Sequence, residues 1–116
     1  MKYNIFLIGP AGSGKSTLGE YLASKKNFNF IECDKFHTEK NILKMKKGIS
    51  INKQERLKWI IKIKKDLVKK NKVNLIIAFS GLMLTHRKML INKDKKNFFF
   101  FLKITNKILK KRLDSK

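Results

Sequence analysis

A chain of 116 residues with 29 Lys and Arg against 8 Asp and Glu has room for one domain and carries a formal charge of +21. Its apolar fraction of 42% is that of a globular protein able to bury a single core. No apolar run approaches the roughly 20 residues that cross a bilayer, and a lone cysteine, Cys33, excludes an intramolecular disulfide. A cytoplasmic protein with no membrane partner is expected, without a signal peptide because a glycine-rich motif begins too early. The basic residues are nearly all lysine and are spread along every segment, not gathered in a stripe with interleaved aromatics. They read as solvated faces with weak, salt-sensitive adhesion to polyanions, and no specific nucleic-acid partner is expected.

Residues 3–9 carry the apolar run Ile5-Phe6-Leu7-Ile8, suited to a buried parallel strand. The stretch Gly9-Pro10-Ala11-Gly12-Ser13-Gly14-Lys15-Ser16-Thr17 follows, and Leu18, Tyr21 and Leu22 then recur at helical spacing through a helix over 15–26. A second strand over 28–31 delivers Glu32-Cys33-Asp34 at its end, and a helix over 36–47 stops at Gly48. Ile49-Ser50-Ile51 connects to a helix capped by Asn52, with Glu55 three residues on and an apolar face running from Leu57 to Val68. Val73 to Ser80 predicts a third buried strand, 83–92 a helix and 92–96 a polar loop. Phe98 to Leu102 predicts a fourth strand, apolar and therefore buried on both faces, and a last helix runs from Thr105 to Lys116. The alternation gives an α/β fold, one domain over 1–116 with three layers α/β/α and a four-stranded parallel sheet; the glycine stretch between its first strand and helix makes the expected type that of the P-loop NTPases.

The glycine stretch matches G-x-x-x-x-G-K-[ST] at every fixed position and lies between strand and helix, where that pattern has physical meaning. Gly9, Gly12 and Gly14 free the backbone of this segment, so that the N–H groups of Ala11, Ser13, Ser16 and Thr17 can turn toward phosphate oxygens. The N-terminus of the following helix adds its partial positive charge. Lys15 would reach the β- and γ-phosphates of ATP, and the Ser16 hydroxyl would ligate Mg²⁺.

A second stretch runs Asp34, His37, Asn41, Met45, Gly48, then Asn52, Arg56 and Trp59. In order and spacing it resembles the gluconokinase family, P-loop kinases that phosphorylate D-gluconate to 6-phosphogluconate with ATP. The resemblance continues through Leu75-Ile76-Ile77, Ser80, Leu82, Arg87, Phe101-Leu102 and Arg112-Leu113. It implies an acceptor hydroxyl held in line with the γ-phosphate, with Asp34 orienting it and taking its proton. Glu32 would hold Mg²⁺ through water, with a capped helix start as its alternative role. His37 and Asn41 would hydrogen-bond gluconate. Arg87 would pair with the carboxylate unless it forms a structural salt bridge. Arg56 would brace the substrate helices, and Trp59 belongs more to the core than to the ligand. Arg112 matches the arginine that opens the family's lid, with a solvated helix arginine as the competing reading.

Four departures stand out. The family's Asp-Gly-Asp is Glu32-Cys33-Asp34, its acidic run before the arginine is Lys53-Gln54-Glu55, and a lysine is replaced by Met83. The sequence also ends at Lys116, where the family's lid begins; the lid, a fifth strand and a final helix follow there in the family. The expectation is a kinase domain incomplete at its C-terminus, slow by itself, partnered by a missing fragment or as a homodimer. A shikimate-kinase-like enzyme and a nucleotide-binding module without catalysis are the other two expectations.

Overall fold

In the computed structural model, described over residues 1–10, 13–81 and 83–102, strands and helices alternate as the pattern requires. The elements are β1 (Tyr3–Ile8), α1 (Lys15–Lys26), β2 (Asn29–Glu32), a 3₁₀ turn (Cys33–Phe36), α2 (Glu39–Lys46), α3 (Lys53–Lys69), β3 (Leu75–Phe79), α4 (Leu84–Leu90) and β4 (Lys96–Phe101). All pairings are parallel, and the strand order is β2-β3-β1-β4. Register brings Ile8 level with Phe79 on one side and Phe101 on the other, while Glu32 is level with Ala78. The chain therefore leaves β1, β2 and β3 at one common edge, delivering the glycine loop, Asp34 and Ser80 together. That edge is where open α/β sheets bind ligands.

Period-two alternation divides the core between the two faces. Phe6, Ile8, Ile31, Leu75, Ile77 and Phe79 pack with Trp59, Ile60, Ile63 and Leu67 of α3 and Leu90 of α4. Leu7 and Ile76 face the other way, against Ala23 and Leu22 of α1. The result is the expected three-layer α/β/α arrangement. At the start of α3, Asn52 Oδ1 accepts from the Glu55 amide (2.8 Å) and a Glu55 carboxylate oxygen accepts from the Asn52 amide (2.9 Å). Lys44 of α2 donates to both oxygens of that carboxylate at 3.0 Å, which ties α2 to α3.

Three boundaries differ from those read off the sequence. The helix expected over 36–47 begins at Glu39, because Cys33–Phe36 forms a 3₁₀ turn and the Thr38 side chain accepts the Asn41 amide (3.1 Å) as an N-cap. The helix after β3 is shorter than 83–92, spanning Leu84–Leu90. The fourth strand is not buried on both faces. It lies at the sheet edge: Phe99 stacks on Phe6 with centroids 4.6 Å apart, while Phe98, Phe100 and Phe101 stay 44%, 52% and 52% exposed. Phe98, Phe100, Tyr3, Ile5 and Leu18 line an apolar trough of about 550 Å³. The last helix expected from Thr105 lies outside the described residues.

One lysine also departs from the reading of solvated faces. Lys95 is buried, and its ammonium donates to Asn4 Oδ1 (2.7 Å), the Val73 carbonyl (2.7 Å) and the Lys70 carbonyl (3.1 Å). It joins the loop before β4 to β1 and to the segment leading into β3.

Candidate active site

The loop after β1 turns through Pro10, whose carbonyl accepts the Ser13 amide at 3.1 Å. Gly14 then takes φ 88°, in the left-handed region, and α1 starts at Lys15 with no side-chain cap on its first amides. Ala11 and Gly12 lie outside the described residues. Lys15 is buried, and its ammonium has one hydrogen-bond contact among the described residues, the Pro10 carbonyl at 3.5 Å. A buried cation whose one described contact is a carbonyl dipole, beside helix amides with no side-chain cap, is an electrostatic environment completed by an anion. Thr17 follows on the first turn of α1.

The Ser16 hydroxyl donates to the Glu32 carboxylate, which joins the glycine loop directly to the end of β2. Glu32 also accepts the Asp34 amide at 3.4 Å as the N-cap of the 3₁₀ turn, so its capping and ligand roles are compatible. Asp34 Oδ1 accepts from the Ser80 hydroxyl at 3.4 Å, linking the end of β2 to the end of β3. Ser16, Glu32, Asp34 and Ser80 thus form one continuous line of contacts along the sheet edge. Ser16 and Glu32 are hard oxygen donors that suit Mg²⁺, an ion usually held by one or two protein oxygens with phosphates and water. Among the described residues no cluster of three or more His, Cys, Asp or Glu is placed to hold a metal by itself.

Beyond Ser80 a cavity of about 400 Å³ opens between the ends of α2, α3 and α4. His37, Arg56, Trp59, Ser80, Met83 and His86 are among its walls. His37 lies flat on Trp59 (4.2 Å between centroids, 14° between planes), which in turn stacks on Phe79 at 5.3 Å. The Trp59 indole donates to the Cys33 carbonyl at 2.8 Å, fixing the floor of the cavity to the 3₁₀ turn. Trp59 is therefore both core and cavity wall. Burial lowers the His37 pKa against the opposing pull of Asp34, so the ring is neutral at neutral pH.

Gly81 makes that floor sensitive to added volume. A Cβ at this position would lie 2.3 Å from the Phe79 ring, itself fully buried and stacked on Trp59. Gly81→Ala is expected to cost about 1–3 kcal/mol by overpacking and to shift the emission of Trp59, both readable in a thermal melt followed by fluorescence.

Two residues expected at the acceptor pocket lie elsewhere. Asn41 is buried beside Phe36, Thr38 and Lys58 in a separate cleft. The Arg87 guanidinium packs over the Phe101 ring at 4.9 Å, toward β4 and away from the cavity walls, with Nε buried and unpaired among the described residues. The arginine on the cavity wall is Arg56. Arg112 lies outside the described residues. His86 was not anticipated, although its spacing from Leu90 carried a signal: residues four apart share a helix face, and Leu90 is core.

Cys33 is inert by the same geometry. Burial, then the flanking carboxylates of Glu32 and Asp34, push its thiol well above the usual range. Native protein is expected to resist iodoacetamide at about pH 8 and to react fully in denaturant. Rapid native labelling would contradict this placement.

A glycine loop closed on a carboxylate, a second carboxylate two residues on and an adjoining cavity that carries His37, Arg56 and His86 on its walls mark a P-loop kinase fold. The sequence profile of the shikimate kinase family matches residues 11–116, and the chain belongs to that family. It is 36% identical over 89 residues to a probable gluconokinase of Mus musculus, covering 75% of this chain and 48% of that protein. A crystal structure of a gluconokinase from Sinorhizobium meliloti superposes with a TM-score of 0.84 at 30% identity, over 97% of this chain and 64% of the other. An unliganded sugar kinase from Janibacter gives a TM-score of 0.85 at 27% identity, over 100% and 68%. The chain thus spans about half the length of the curated relatives it matches. No helix among the described residues is long and apolar enough to cross a membrane.

Proposed function

We propose that this chain carries the acceptor and phosphate sites of a sugar-acid kinase that transfers the γ-phosphoryl group of ATP to a hydroxyl of D-gluconate. The observation that carries this reading is the line Ser16–Glu32–Asp34–Ser80, which runs from the glycine loop to the mouth of a cavity with Arg56 and two histidines on its walls. The names of the gluconokinase relatives supply the acid.

ATP with Mg²⁺ supplies the phosphoryl group and screens its charge. The N–H groups of Ser13, Gly14, Lys15, Ser16 and Thr17 and the Lys15 ammonium would bind and orient the phosphates, while Ser16 and Glu32 would supply oxygens that hold the cation. Asp34 accepts a hydrogen bond from the acceptor hydroxyl and removes its proton as the oxygen attacks. Ser80 steadies the Asp34 carboxylate. His37, Arg56 and Trp59 shape the polyol pocket and exclude water from it. Arg87 and Asn41 take no part in holding the acceptor.

The test is single-turnover transfer from labelled ATP with enzyme in excess, using gluconate, shikimate and glucitol as acceptors. Transfer to gluconate above the acceptor-free background supports the reading. Transfer to shikimate alone replaces gluconate as the substrate. ATP binding without transfer to any acid leaves a nucleotide-binding module.

A further inference from the structure

Among the described residues, two basic side chains on the cavity wall have no acidic partner. His86 is only 8% exposed, and its ring Nδ1 is buried with no hydrogen-bond partner among the described residues. Arg56 projects from α3 into the same cavity, where its guanidinium donates to the weak acceptor Met83 Sδ at 3.9 Å. The ion pairs among the described residues join Lys44 to Glu55 and Lys70 to Asp66, and neither involves this wall. An unpaired arginine beside an orphaned buried imidazole is a poor place for a neutral ligand and a good one for an anion.

We propose that His86 is a specificity-determining residue: with Arg56 it forms the wall that receives the carboxylate of the acceptor, and it is the group through which the pocket selects an acidic polyol over a neutral one. This rests on the cavity being the acceptor site. In the empty pocket, burial and then the charge of Arg56 hold the His86 pKa below the usual imidazole range. A carboxylate arriving between the two offsets the charge of Arg56 and offers the imidazolium a partner, so the His86 pKa rises on binding. The ring then takes a proton from solvent. Affinity for the acid is greatest below the pKa of the empty pocket and declines as pH rises through that of the complex.

Other charged groups nearby do not reproduce this. His37, which also lines the cavity, is set by burial and then by Asp34 and Lys62. Arg87 turns to Phe101, and Lys64 donates to the Ile91 carbonyl at the far end of α4. Lys88 follows on α4 itself.

Binding of gluconate, shikimate and glucitol is measured by calorimetry in buffers of different ionisation enthalpy, for the unsubstituted protein, His86→Asn and His86→Phe. Proton uptake with an acid, absent with glucitol, is expected in the unsubstituted protein and lost in both variants. His86→Phe should weaken the acid by about tenfold, and His86→Asn, which keeps a neutral donor near Nδ1, by less. Glucitol should be unaffected. With two histidines in the chain, the ring NMR signals of the unsubstituted protein provide a measurement that needs no variant: one ring should titrate higher when the acid is added.

Uptake that survives both variants, equal losses for acid and polyol, or no binding of any acid overturns the proposal. If shikimate binds with His86-dependent uptake and gluconate does not, the proposal stands and the gluconate reading falls. If gluconate is phosphorylated with no uptake, the reverse holds.

Discussion

Asp34→Asn is expected to lower the rate of phosphoryl transfer to the acceptor by about 10²–10⁴-fold while ATP affinity stays nearly unchanged. Asparagine keeps the shape of the side chain and an oxygen that can accept from Ser80, so the turn after β2 is preserved. What it loses is the ability to take the proton of the attacking hydroxyl. The expected pattern is therefore a lower single-turnover rate at saturating ATP with an unaltered nucleotide titration. Glu32→Ala should behave differently, because Glu32 touches Ser16 at the phosphate loop and caps the 3₁₀ turn. Its removal should weaken Mg²⁺-dependent nucleotide binding first. If Asp34→Asn instead lost nucleotide affinity in step with rate, Asp34 would belong to the phosphate site and the acceptor reading would fail.

The contrast between these carboxylates shows how far residue order reaches. Strands and their C-terminal residues were readable because apolar runs of strand length separate glycine-rich and polar segments, and a parallel sheet collects those ends at one edge. Ser16 came from the glycine motif, and Glu32 and Asp34 from their place at the end of the second strand together with the family resemblance. Strand position within the sheet did not. Phe98 to Phe101 satisfies the pattern of a strand buried on both faces, yet β1 takes β3 on one side and leaves β4 at the margin with Phe98, Phe100 and Phe101 exposed. Helical phase on short elements was equally hard to read. In α4, seven residues long, one position is a rotation of about 100°. His86 faces the cavity while its neighbour Arg87 turns to Phe101. The same uncertainty put Asn41 in the acceptor pocket, when the cap at Thr38 fixes a phase that turns it toward Phe36 and Lys58.

The largest stability effect is expected at a residue that composition places on the surface. Lys95 sits in a run with Lys93 and Lys96, in a chain so rich in lysine that each reads as solvated. Its ammonium instead satisfies three buried or partly buried acceptors, one on β1 and two on the segment leading into β3. Lys95→Met preserves most of the stem's packing but leaves Asn4 Oδ1 and two backbone carbonyls without a donor. Each orphaned buried group costs about 1–3 kcal/mol, so a total near 3–5 kcal/mol is expected after partial relaxation and water entry. For a domain of this size each kcal/mol lowers Tm by about 4–8 °C, and the melt should move down by roughly 10–20 °C or more. Asn4→Leu in the same background is the discriminating second variant. It removes the strongest orphan, since Asn4 Nδ2 is itself unpaired among the described residues. Part of the lost stability should return, because replacing both partners of a buried hydrogen bond costs less than replacing one. A Lys95→Met protein that melts within a few degrees of the unsubstituted chain would mean that this ammonium is hydrated and that the β1–β4 junction is held by strand pairing alone.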